Sequence, residues 1–113
     1  MDEDISVADV LERAADLIAK PGAWAQGEYG RGPGGIVWEQ DAPEPEGLNC
    51  FCLYGAVAHV SKARAGCDTP AVKFLEALNV SATGWNDAPE RTQDEVVALL
   101  RKSAALARER SNG

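Results

Sequence analysis

The sequence is poor in the residues from which reactive sites are most often built. Its 113 residues hold one histidine, three cysteines and one methionine. A single histidine limits any nucleophile to one candidate imidazole base. Three cysteines form an odd set with no framework spacing, which excludes a disulfide scaffold and predicts reduced thiols in a cytoplasmic setting. No apolar run approaches the ~20 residues needed to cross a bilayer, so no membrane association is expected. The start, Met1-Asp2-Glu3-Asp4, is acidic where a secretory leader would be basic and then apolar. The glycine-rich run Gly30-Arg31-Gly32-Pro33-Gly34-Gly35 lacks the Gly-Lys-Ser/Thr ending of a phosphate loop and opens no helix. Basic residues are also scarce: 11 Lys and Arg stand against 18 Asp and Glu. That balance argues against direct nucleic-acid binding, which needs cations to neutralise phosphates.

What is present is ordinary for a globular protein. Hydrophobic and charged fractions of 45% and 26% predict a folded chain. At this length it forms one domain, residues 1–113, whose core needs neither disulfide nor metal. Internal repeats and low-complexity segments are absent. The net charge of −7 is uneven: residues 1–46 carry 11 acids and 3 bases, and residues 47–113 carry 7 and 8. Acidity is concentrated in the first helix and in Glu39-Gln40-Asp41-Ala42-Pro43-Glu44-Pro45-Glu46. Such charge serves solubility, or mimics nucleic acid toward a basic partner.

Periodicity and caps predict four helices. Ser6 caps a helix over about 7–20, with Asp9 near its positive end, Ile5 stapled onto Val10, and Val7, Val10, Leu11, Ala14, Leu17 and Ile18 on one face. Pro21-Gly22 ends it. Asn49 is the expected cap of a buried helix over about 50–64, apolar round most of its circumference, with Gly55, Ala56 and Ala58 leaving part of its surface thin. On this reading it is the spine on which three amphipathic helices close. Lys62, Arg64 and Gly66 suit its C-terminal end. Thr69-Pro70 opens a helix to about 79. Thr92-Gln93-Asp94-Glu95 is a capping box for a last helix over about 93–109. Between the first two helices, 23–29 and 36–39 read as short strands of a hairpin or extended arm over about 24–39, with the glycine run as its loop and Trp24, Trp38 or both as anchors. Residues 41–47 read as an exposed linker, and Trp85-Asn86-Asp87-Ala88-Pro89 as a structured turn. The expected fold is a mainly α, compact four-helix domain with that small arm.

Three blocks together resemble a family of small actinobacterial and actinophage proteins catalogued as a domain of unknown function. They are Ala23-Trp24-Ala25-Gln26-Gly27, the aromatic-Cys-x-x-Gly-Ala run Phe51-Cys52-Leu53-Tyr54-Gly55-Ala56, and Trp85-Asn86-Asp87-x-Pro89 joined to Arg91-Thr92 and the terminal helix. The resemblance spans Leu11 to Leu106. It implies a bacterial or phage cytoplasmic protein and supplies no activity. The family pattern carries a cysteine where Ala25 stands here, which counts against a metal or redox site requiring that position.

Cys52 and His59 are the candidates for catalysis. In the first turn of a helix capped by Asn49, Cys52 would feel the dipole that favours a thiolate. His59 lies two turns further along, about 10 Å away, too far to take its proton directly. The simpler role for Cys52 is as a small buried apolar residue. Cys50, Cys52, His59 and Cys67 match no paired zinc-ligand spacing, and no cofactor is expected. Trp24, Trp38, Trp85, Asn86 and Asp87 are the candidate binding residues. Trp85 either plugs the core or anchors a partner, according to its exposure. The leading expectation is a non-enzymatic accessory protein that works by protein–protein contact, through the acidic half or the Trp24–Trp38 arm. The alternatives are a small thiol enzyme using Cys52 and an acidic nucleic-acid mimic.

Overall fold

In the computed structural model, which describes residues 6–78, 80 and 84–112, helix α1 spans Val7–Ala19. Ser6 caps it as expected, its hydroxyl accepting from the Asp9 N–H at 3.1 Å. The expected staple from Ile5 lies outside the described residues, as do Asn79 and Ser81. Strand β1 (Gly30–Gly32) turns through Pro33–Gly35 into β2 (Ile36–Val37). Gly34 and Gly35 take φ values of +76° and +82°, which glycine adopts without steric cost. Strand β3 (Cys50–Phe51) pairs antiparallel with β1 on its other side, giving the order β2-β1-β3. Helices α2 (Leu53–Ser61), α3 (Pro70–Ala77), the single turn α4 (Gly84–Asp87) and α5 (Gln93–Asn112) complete the described chain.

The mainly helical fold with a small hairpin between the first two major helices is as expected, but several boundaries differ, among them the end of α5, which runs on to Asn112. The first hairpin strand is the glycine run itself, while 23–25 lies parallel beside β3 through a single bridge between Trp24 and Phe51. Helix α2 begins at Leu53 because Cys50 and Phe51 bond to β1 and to Ala23. Asn49 caps no helix among the described residues; its N–H joins the sheet, donating to Arg31 O at 2.9 Å. Helix α2 ends earlier than expected, at Ser61, where Lys62 adopts φ +56° and donates its N–H to Ala58 and His59 carbonyls.

Helix α1, rather than α2, is the element the others share: α5, α2 and α3 all pack on it. Leu11, Ala14, Ala15 and Ile18 are fully buried, and the two alanines permit close approach. Helix α5 runs antiparallel to α1, burying Val96, Leu100, Ala104 and Ala107. At one end Gln93 Nε2 donates to the Ile18 and Lys20 carbonyls at the C-terminal end of α1. Toward the other, Arg108 reaches Asp9, while Arg101 bridges Glu12 and Asp16 at 2.5 and 3.1 Å. The expected caps of α3 and α5 are present: Thr69 accepts from Val72 N–H, and Thr92 and Glu95 bond reciprocally.

Residues 41–47 are not a free linker. Asp41 N–H donates to Ala65 O and Ala65 N–H to Ala42 O, while Arg64 donates to Asp41 O. The stretch is a strap docked on the turn that follows α2.

Candidate functional site

All three sequence blocks meet at the start of α2. Asn86, on α4, is 0% exposed and uses every hydrogen-bonding position of its amide. Its Oδ1 accepts from the Trp24 indole N–H at 2.7 Å and from Leu53 N–H at 3.0 Å. Its Nδ2 donates to Ala25 O and to Asp87 Oδ1. The Leu53 N–H is one of those a first helical turn leaves unpaired, so Asn86 caps α2 from 33 residues away. Asp87 Oδ1 also accepts from Gly27 N–H, and Gln26 Nε2 donates to the carbonyls of Asn86 and Ala88. The expectation that Asn86 and Asp87 fold back on their own turn is corrected: they tie α4 to the 23–27 arm and to α2.

Cys52 is the N-cap residue of α2, not part of its first turn. Its Sγ accepts from Gly55 N–H at 3.2 Å, and the residue is 3% exposed. Burial pushes the thiol up to about 11; bonds from the Gly55 and Tyr54 N–H groups pull the other way and are outweighed. The thiol is therefore protonated near neutral pH. Cys50 is also buried, and Cys67 is the exposed cysteine. Among the described residues no three His, Cys, Asp or Glu side chains gather as metal ligands.

The tryptophans separate. Trp38 is 1% exposed, edge-on to Phe51, with its indole N–H on Ala42 O at 2.8 Å. It stands in the core and holds the strap, which removes it from the contact surface expected for the arm. Trp24 and Trp85 are half-buried. The Arg91 guanidinium lies 3.8 Å over the Trp85 ring, and its Nε donates to Trp85 O at 2.9 Å. Asn86 thus fixes the Trp24 indole, and Arg91 covers the ring of Trp85, the residue next to Asn86 on α4.

His59 lies at the opposite end of α2. Its Nδ1 is 2.7 and 2.9 Å from the two Glu44 oxygens, and its ring packs tilted against Phe51 with centroids 4.9 Å apart. Glu44 reaches it because the strap is docked. No local spacing announces this pair, which is 15 residues apart and depends on that docking. His59 is shared by two grooves. One, about 400 Å³, is lined by Pro43, Glu44, Lys62, Ala63 and Arg64; the other, about 280 Å³, by Arg13, Asp16, Leu17, Lys20 and Val60. The structure therefore gives His59 a carboxylate partner on the surface and gives Cys52 a backbone partner in the interior.

Residues 2–106 match a family described as a family of unknown function, DUF6197. No curated protein and no solved structure matches the chain. No helix among the described residues is long and apolar enough to cross a membrane. The chain belongs to the DUF6197 family.

Proposed function

We propose that the protein is a small non-enzymatic accessory protein of actinobacterial or phage origin that acts in the cytoplasm by protein–protein contact. The observation that carries this reading is the Arg91 guanidinium stacked 3.8 Å over the half-buried Trp85, with Trp24, also half-buried, tied to the same short helix α4 through Asn86. Tryptophan and arginine are the residue types that most often dominate binding energy, and rings already fixed in position lose little freedom when a partner covers them. Asn86 supplies the fixing, through its bond to the Trp24 indole.

The two alternatives gain no support from the geometry. A thiol enzyme needs a thiolate within reach of a base, whereas Cys52 is protonated, buried and bonded to Gly55 N–H. An acidic mimic needs an unneutralised acidic face, and along α1 that face is broken, because Asp9, Glu12 and Asp16 are paired with Arg101 and Arg108.

The test is capture of a partner from bacterial lysate by wild-type protein, Arg91→Glu, and Lys73→Glu as an exposed control on α3. A partner retained by wild type and Lys73→Glu but lost by Arg91→Glu supports the reading. Recovery of no partner, or equal recovery by all three proteins, counts against it.

A further inference from the structure

The cations of this acidic chain are unevenly placed. Four of its eleven Lys and Arg side chains line the two grooves that meet at His59. The C-terminal halves of α1 and α2 lie side by side there, and helix C-termini favour nearby cations. The acids of the grooves are already engaged: Glu44 holds His59, and Asp16 is drawn to Arg101. Arg13, Lys20 and Lys62 make no ion pair with any described residue. One carboxylate already sits on this surface. Glu44, flanked by Pro43 and Pro45 in the strap, places both oxygens on His59 Nδ1. Glu44 thus shows that a carboxylate carried on a non-helical segment reaches His59.

We propose that the grooves around His59 dock an acidic, extended segment of a partner protein. Its carboxylates pair with Lys62, Arg13 and Lys20, and the strap with Glu44 forms one wall. The grooves are open troughs joined at His59, a shape for a chain lying across the surface rather than for an enclosed small molecule. A short acidic segment senses the local cations. A nucleic acid would extend past them by more than the ~8 Å over which charges act at physiological salt, and would meet a molecule of net charge −7. The proposal rests on the reading of the protein as a binding module, but uses a different face from Trp24 and Trp85.

The experiment is fluorescence polarisation with a fluorescein-labelled glutamate-rich peptide, at low and at physiological salt. Wild type binds, and more weakly as salt rises. Arg13→Glu with Lys62→Glu lowers affinity about tenfold or more, while Lys73→Glu with Lys102→Glu, an equal charge change on exposed residues elsewhere, alters it less than about twofold. Circular dichroism verifies folding, and Arg13→Gln with Lys62→Gln replaces the reversal if that variant unfolds. Arg91→Glu leaves peptide affinity unchanged, so failure here and failure of the Trp85 face are read separately. No binding by wild type, equal loss in both charge-reversed pairs, loss in Arg91→Glu, or tighter binding of a single-stranded oligonucleotide of matched charge overturns the proposal.

Discussion

The backbone carbonyl of Tyr29 occupies the place that a β-carbon on Gly55 would take. The same carbonyl accepts the Cys52 N–H at 3.1 Å, so it is fixed against the N-terminus of α2 and cannot withdraw without breaking that bond. In an unobstructed helix interior, Gly→Ala stabilises by about 0.5–1 kcal/mol. At Gly55 the collision reverses the sign: Gly55→Ala is expected to destabilise by about 3 kcal/mol or more, the upper range for overpacking against a group that cannot move. Urea denaturation followed by circular dichroism measures it, and a stabilised variant would contradict the close approach.

Asn86 offers the second test. Asn86→Ala strips partners from the Leu53 N–H, the Trp24 indole N–H and the Ala25 carbonyl at once. Each buried group left unsatisfied costs about 1–3 kcal/mol, so a loss of about 3 kcal/mol or more is expected. Asn86→Asp keeps the acceptor for Trp24 and Leu53 but turns an acceptor toward Ala25 O and the Asp87 carboxylate, so it is also destabilising. Thermal melts of both variants decide the matter; a shift within error for Asn86→Ala would mean that the junction does not hold the arm.

These two tests mark where the sequence was legible and where it was not. The caps Ser6, Thr69 and Thr92 act within a few residues of themselves, and α1, α3 and α5 start where their patterns place them. The run from Cys50 to Ala58 is apolar throughout, and such a run does not tell a buried strand from a buried helix. Asn49 resembled the better cap, yet β1 claims its N–H, and the cap falls to the sulfur of Cys52. The glycine run that holds Gly32 reads as a loop because it offers the positive-φ positions a hairpin turn needs, yet Gly32 stands in a strand, with the Gly47 backbone where its β-carbon would sit. At the candidate sites the residue types were visible but their partners were not. Asn86 with Leu53, and His59 with Glu44, are joined by tertiary packing that no local spacing encodes.

Alkaline pH tests the environment of Cys52. The thiol is neutral when protonated, and burial raises its folded-state value from about 9 to about 11. The folded chain therefore holds this proton more tightly than the unfolded chain. The associated stability is fully present below about pH 9 and is lost as pH rises toward 11, on the order of 3 kcal/mol at most. Tyr54 and Tyr29 are raised chiefly by burial as well and act in the same direction. Denaturant midpoints between pH 8 and 11 are expected to fall for wild type and to fall less for Cys52→Ala. At neutral pH iodoacetamide should modify Cys67 while leaving Cys50 and Cys52 protected. Rapid labelling of Cys52 in the folded protein would refute its burial.

Ser103 gives the one substitution expected to strengthen the fold. It is 1% exposed on the inner face of α5, and its hydroxyl has no hydrogen-bond partner among the described residues. A buried hydroxyl without a partner carries a desolvation cost that nothing returns, and serine is a weaker helix former than alanine. Ser103→Ala removes the unsatisfied oxygen while leaving only a small void between α5 and α1. The loss of one small buried atom opposes the gain but is outweighed by it, and the net expectation is stabilisation of about 1 kcal/mol. Chemical denaturation at pH 7 measures the change. Destabilisation by a similar amount would show that the hydroxyl is bonded in solution, with the α1–α5 contact built around that bond rather than around apolar packing alone.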